Sequence, residues 1–68
     1  MSEISKKLGQ NLKRIRELKG MTQGDICRAL ELDRGYISSI ESGKRNPTLS
    51  TLKKLADALK VSVDELLK

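Results

Sequence analysis

The sequence predicts an all-α domain of five short helices. Apolar residues recur three and four positions apart along most of the chain. A capping residue stands just before each such stripe. Nowhere do apolar and polar residues alternate as a half-buried strand requires, and there is no internal repeat or low-complexity linker. Residues 1–68 therefore read as one domain.

The first helix carries Ile4, Leu8, Leu12 and Ile15 at helical spacing, with Ser2 as its expected cap and Gly20 as its end. Thr22 caps a second helix, with Asp25 three residues on in a capping-box arrangement. Its apolar positions are Ile26, Cys27, Ala29 and Leu30. Asp33 is a good N-cap for a third helix that Gly43 would terminate. Thr48, after Pro47, opens a fourth, with Leu49, Leu52, Leu55, Ala56 and Leu59 on its inner face. Ser62-Val63-Asp64-Glu65 is a capping box before Leu66-Leu67 in a fifth.

Composition narrows the class. There is one cysteine and no histidine, so no internal disulfide can form and the usual zinc ligand sets are missing. Tyr36 is the only aromatic residue, so the core must be aliphatic. Cys27 reads as a small buried spacer. No apolar run is long enough for a signal peptide or a membrane span. The expectation is a cytoplasmic protein without cofactor. An enzyme is a poor reading, since no histidine, reactive cysteine or paired carboxylate supplies acid–base chemistry.

The net charge is +5, from 14 Lys+Arg against 9 Asp+Glu. The cations concentrate in two places: six lie in residues 1–20, and Lys44, Arg45, Lys53 and Lys54 lie in an acid-free stretch, residues 42–54. Such clustering points to a polyanionic partner. The third helix, within LDRGYISSIESGKRNP, adds to this. Only Ile37, Ile40 and part of Tyr36 can anchor it, leaving Arg34, Gly35, Ser38, Ser39 and Ser42 to face outward beside Lys44-Arg45. Helix, tight turn and half-buried second helix is the layout of a DNA-binding helix-turn-helix.

The run TQGDICRALELDRGYISSIESGKRNPT, with LKRIRELKGMTQ before it and LADALKVSVDELL after, resembles the phage repressor and Cro-like helix-turn-helix family, the xenobiotic response element class of transcriptional regulators. The resemblance covers nearly the whole chain. It implies a compact lambda-repressor-like domain, with the motif at about 23–42, that binds double-stranded DNA in a sequence-specific way. It places Arg34, Gly35, Ser38 and Ser39 against base edges. Phosphate contacts fall to Thr22, Gln23, Tyr36, Ser42, Lys44, Arg45 and Asn46. Arg16 and Glu41 match a structural salt bridge. An arginine near the helix start can grip guanine O6 and N7, and the loop cations supply salt-dependent affinity.

Proteins of this kind commonly act as homodimers on near-palindromic operators. The expected dimer surface is Leu59, Val61, Val63, Leu66 and Leu67, unless these complete the monomer core. Two positions depart from the family pattern. Glu31 stands where glycine usually takes a left-handed conformation, so either it carries that strain or the turn differs. Gly24 lies inside the second helix. The rival reading is a protein-interaction module on the same fold, such as an antitoxin or adaptor, and a regulatory protein partner fits either case.

Overall fold

The structure, a computed structural model, describes residues 3–68. Five helices lie among the described residues: α1 (Glu3–Leu18), α2 (Gln23–Leu30), α3 (Arg34–Glu41), α4 (Leu49–Leu59) and α5 (Val63–Leu67). The expected cap Ser2 lies outside the described residues. The other starts follow the sequence. Thr22 Oγ1 accepts from the Asp25 N–H while the Thr22 N–H donates to Asp25, closing the capping box. Thr48 and Ser62 hydroxyls accept from the N–H of Thr51 and Glu65. Asp33 occupies the N-cap position of α3, but its carboxylate makes no capping bond.

Four helices end alike. Gly20, Glu31, Gly43 and Lys60 follow them with φ of 72°, 56°, 80° and 59°. In each case the next N–H turns back to a carbonyl of the last turn: Met21 to Arg16, Leu32 to Cys27, Lys44 to Ser39 and Val61 to Ala56, at 2.9–3.0 Å. Glu31 thus adopts the left-handed conformation without being glycine, which resolves the alternative left open at that turn. The helix-turn-helix keeps its ordinary geometry at a local cost of about 1 kcal/mol.

α1 packs on α3 and α5, α2 on α3 and α4, and α4 on α5. The core is Leu8, Leu12, Ile15, Ile26, Cys27, Ile37, Ile40, Leu52, Leu55, Ala56, Leu59 and Leu66. Ile37 and Ile40 are fully buried, at about 1.5–3 kcal/mol each. With the partly buried Tyr36 they are the apolar anchors of α3 among the described residues.

Several expectations need correction. Ile4 and Leu49 are 69% and 77% exposed rather than inward. Both lie in the first turn of their helix, ahead of an inward stripe that begins at Ser5 and at Leu52. Ala29 is exposed, rotated off the Ile26–Cys27 face. Leu59 and Leu66 are buried at 1% and 0%, so they are core and unavailable to a second subunit. A chain with a single aromatic needs these leucines to close its interior. Val61 and Val63 pack partly against that core, and only Leu67 of the expected dimer set is exposed.

Candidate nucleic-acid interface

The geometry of this face starts at a close crossing. Gly9 of α1 lies against the C-terminal end of α3, where a Cβ on it would stand 2.4 Å from the Ile40 carbonyl oxygen and 2.6 Å from that of Glu41. Only glycine allows the two backbones so near. One and two turns away, polar side chains lock the same crossing. Arg16 Nε donates to Glu41 Oε2 at 2.7 Å and a terminal guanidinium nitrogen donates to Oε1 at 3.1 Å. The other terminal nitrogen donates to the Met21 carbonyl at 2.7 Å, tying in the turn before α2. Gln23 Nε2 donates to Glu41 Oε1 at 2.9 Å. Arg16 and Glu41 side chains are only 9% and 4% exposed, and bonding to Glu41 holds the guanidinium more firmly protonated than usual.

The loop after α3 is fastened to α1 as well. Ser5, buried in the otherwise exposed first turn of α1, donates through Oγ to Asn46 Oδ1. Gly43, in its left-handed conformation, rests on Lys6. Arg45 stacks its guanidinium 5.0 Å from the centre of the Tyr36 ring, which fixes a loop cation beside α3.

With α3 fixed this way, Arg34, Gly35, Ser38 and Ser42 face solvent and Ser39 is half-buried. Lys44, Arg45 and Asn46 are exposed alongside. The serines are not equivalent. Ser39 Oγ donates to the Gly35 carbonyl at 2.8 Å and Ser42 Oγ to the Ser39 carbonyl at 3.1 Å, so both hydroxyls spend their proton on the helix and offer acceptor lone pairs outward. The Ser38 hydroxyl makes no hydrogen bond with the described residues and keeps both functions. Asn46 has its carbonyl oxygen occupied by Ser5 and its amide N–H groups left. Gln23 has one amide N–H on Glu41 and a second to spare.

At the start of α2, Asp25 is held below its ordinary carboxylate range, first by the Thr22 N–H and then by the Thr22 hydroxyl and Arg28. A depressed carboxylate stabilises the fold above its unfolded value near pH 4, and that contribution is lost as pH falls through the folded value. Asp25 and Arg28 pair with each other, so this turn adds little net charge. Among the described residues no group of His, Cys, Asp and Glu could hold a metal ion, and no helix is long and apolar enough to cross a membrane.

Two positions escaped the sequence reading. Gly9 carried a signal in its own type, because a glycine inside a helix costs about 0.5–1 kcal/mol and so marks a close approach. Lys13 carried one in its spacing: Lys6, Gly9, Lys13 and Arg16 are three, four and three apart and share the face of α1 that meets α3. Lys13 lines a cleft of about 180 Å3 with Gln23, Ser38, Glu41 and Ser42.

Known proteins are similar to this chain in sequence and fold. A helix-turn-helix family model matches residues 12–66. The uncharacterised helix-turn-helix transcriptional regulator y4dJ of Sinorhizobium fredii is 44% identical over 64 residues, 94% of this chain and 83% of its own. Control protein C.MunI from a Mycoplasma species is 39% identical over 67 residues, covering 97% and 90%. Among solved structures, the restriction-modification controller C.Esp1396I, a tetramer in complex with its natural 35 base-pair operator, superposes with a TM-score of 0.83 at 38% identity over 100% of both chains.

Proposed function

The chain belongs to the helix-turn-helix family, and on that premise we propose that it is a sequence-specific double-stranded DNA-binding transcriptional regulator acting as a dimer on a near-palindromic operator. α3 enters the major groove, which is about 12 Å wide and admits a helix. Arg34, in its first turn, grips a guanine, and Gly35 lets the backbone approach the base edges. Ser38 donates or accepts, while Ser39 presents acceptors only. Thr22, Gln23, Tyr36, Lys44, Arg45 and Asn46 meet phosphates on either side, and Ser42 joins them by turning its hydroxyl proton off the Ser39 carbonyl. Leu67, with the partly buried Val61 and Val63, is what remains of the dimer surface in this reading. The protein works in the cytoplasm and has no enzymatic role.

One observation carries the reading: α3 is pinned by two buried isoleucines and an Arg16–Glu41–Gln23 lock so that its Arg34-to-Ser42 side stands outward beside Lys44 and Arg45. Selection from random-sequence DNA tests it. The expected product is a near-palindrome with half-sites about one helical turn, ~34 Å, apart, bound with affinity that falls steeply as salt rises. Arg34→Ala is expected to relax selection at one base pair per half-site and to keep non-specific affinity. Failure to enrich any sequence would leave a protein-interaction module as the better account.

A further inference from the structure

We propose that the cleft between α1, the start of α2 and the C-terminal half of α3 seats one backbone phosphate of the bound DNA, and that Lys13 is its cationic ligand. This rests on the DNA-binding reading above and adds α1 to the surface that reading assigned to α2, α3 and the following loop.

The chemistry of the cleft is that of an anion seat. Its lining is Lys13, Gln23, Ser38, Glu41 and Ser42. The one acid there is already answered: both Glu41 oxygens accept from Arg16, and Oε1 also accepts from Gln23. Lys13 is exposed and forms no ion pair with the described residues. Counting Arg16 and Lys13 against Glu41 leaves one uncompensated positive charge at the cleft. A neutral donor joins it, the second amide N–H of Gln23. The first two N–H groups of α2, those of Gln23 and Gly24, lie ahead of the capped Asp25 N–H and open on the same wall. The space, about 180 Å3, takes several waters and therefore a phosphodiester group in their place.

The position of the cleft fits the same occupant. It borders α3 along Ser38 and Ser42, so a phosphate held there flanks the groove that α3 enters. Lys44 and Arg45 lie beyond the C-terminal end of α3 and take a different stretch of backbone. The ligand set is also stiff. Gln23 is held by Glu41, Glu41 by Arg16, and Arg16 spans α1, the turn and α3, so the lock that orients α3 also sets the depth of the phosphate. Contacts of this kind fix register on the duplex and carry no sequence information.

The test compares the unmodified protein with Lys13→Ala, Lys13→Arg and Lys53→Ala on the selected operator. Lys13 is exposed in mid-helix and alanine is a strong helix former, so thermal melting should show Lys13→Ala folded. Its log K against log salt slope is expected to drop by about one unit per protomer, with affinity lost equally on all sequences and the selected operator unchanged. Lys13→Arg should retain the slope. Lys53, paired with Asp57 on α4, should show no change when removed. Methylphosphonate substitution, one phosphate at a time, identifies the partner: at one position per half-site the loss should be much larger for the unmodified protein than for Lys13→Ala. A Lys13→Ala protein with the parental slope and the parental methylphosphonate profile would overturn the cleft assignment alone. Salt-insensitive binding by the unmodified protein would instead overturn the DNA-binding reading beneath it.

Discussion

The two ends of α3 are built on opposite principles. At its C-terminal end, Glu41 is held by Arg16 and Gln23, the Ile40 and Glu41 carbonyls lie against Gly9, and Gly43 rests on Lys6. At its N-terminal end, Asp33 makes no side-chain capping bond, Arg34 is exposed, and a Cβ on Gly35 would meet nothing within 4 Å. The gripped end fixes position and angle. At the bare end the Asp33 and Arg34 side chains make no hydrogen bond or ion pair with the described residues, so they have none to lose when they meet a ligand. In a domain whose total stability is only about 5–15 kcal/mol, specific polar contacts are concentrated where they orient the helix and are missing where it reads.

The largest test of that division is the lock. Arg16→Ala leaves Glu41 buried without its cation and should cost roughly 3–5 kcal/mol, measured by urea or thermal unfolding. Gly9→Ala should come next, at roughly 1–3 kcal/mol, because the new methyl must push α3 away from α1 at backbone oxygens that cannot swing aside. Operator affinity should fall with both variants even at temperatures where the protein stays folded. Parental stability for either one would mean that the C-terminal end of α3 is not the fixed end.

How much of this the sequence could reveal follows the same division. Helix number, the starts at Thr22, Thr48 and Ser62 and the ends at Gly20 and Gly43 were legible because they rest on local chemistry that acts on neighbours a few residues away, whereas the left-handed ends at Glu31 and Lys60 carried no such mark. The Arg16–Glu41 pair entered through family resemblance, and the structure shows its two oxygens and both donors in place. Inward and outward assignments failed where periodicity had no tertiary information. Ile4 and Leu49 continue their stripes on paper but lie beyond the packed part. Leu59 and Leu66 looked like spare apolar surface until the arrangement of α4 and α5 enclosed them. Ser39, Ser42 and Asn46 were named as contacts, and the sequence could not show which of their polar atoms were already engaged within the fold. Lys13 was missed because the residues that share its cleft come from two other helices, α2 and α3.

The turn leading into the bare end offers a smaller perturbation of opposite sign. Glu31 holds φ at 56° with an exposed side chain. Glu31→Gly removes the left-handed penalty, offset partly by greater freedom in the unfolded chain. The net expectation is a stabilisation of up to about 1 kcal/mol with the turn unchanged, read as a higher unfolding midpoint. A loss of stability would show that Glu31 makes a contribution outside its backbone conformation.

Gly35→Ala gives the smallest shift in stability and the sharpest contrast with Gly9→Ala. Both glycines are helical, and alanine is favoured over glycine in a helix by about 0.5–1 kcal/mol. At Gly9 that gain is swamped by collision. At Gly35 there is nothing to collide with, so the folded protein should gain roughly the full amount. The same methyl group lies beside Arg34 on the side of α3 proposed to face base edges, so operator binding should weaken while the unfolding midpoint rises. Measuring both on one variant separates stability from recognition. If affinity rose along with stability, close backbone approach at Gly35 would be unnecessary, and the base-reading surface would have to be drawn further along α3, toward Ser38 and Ser42.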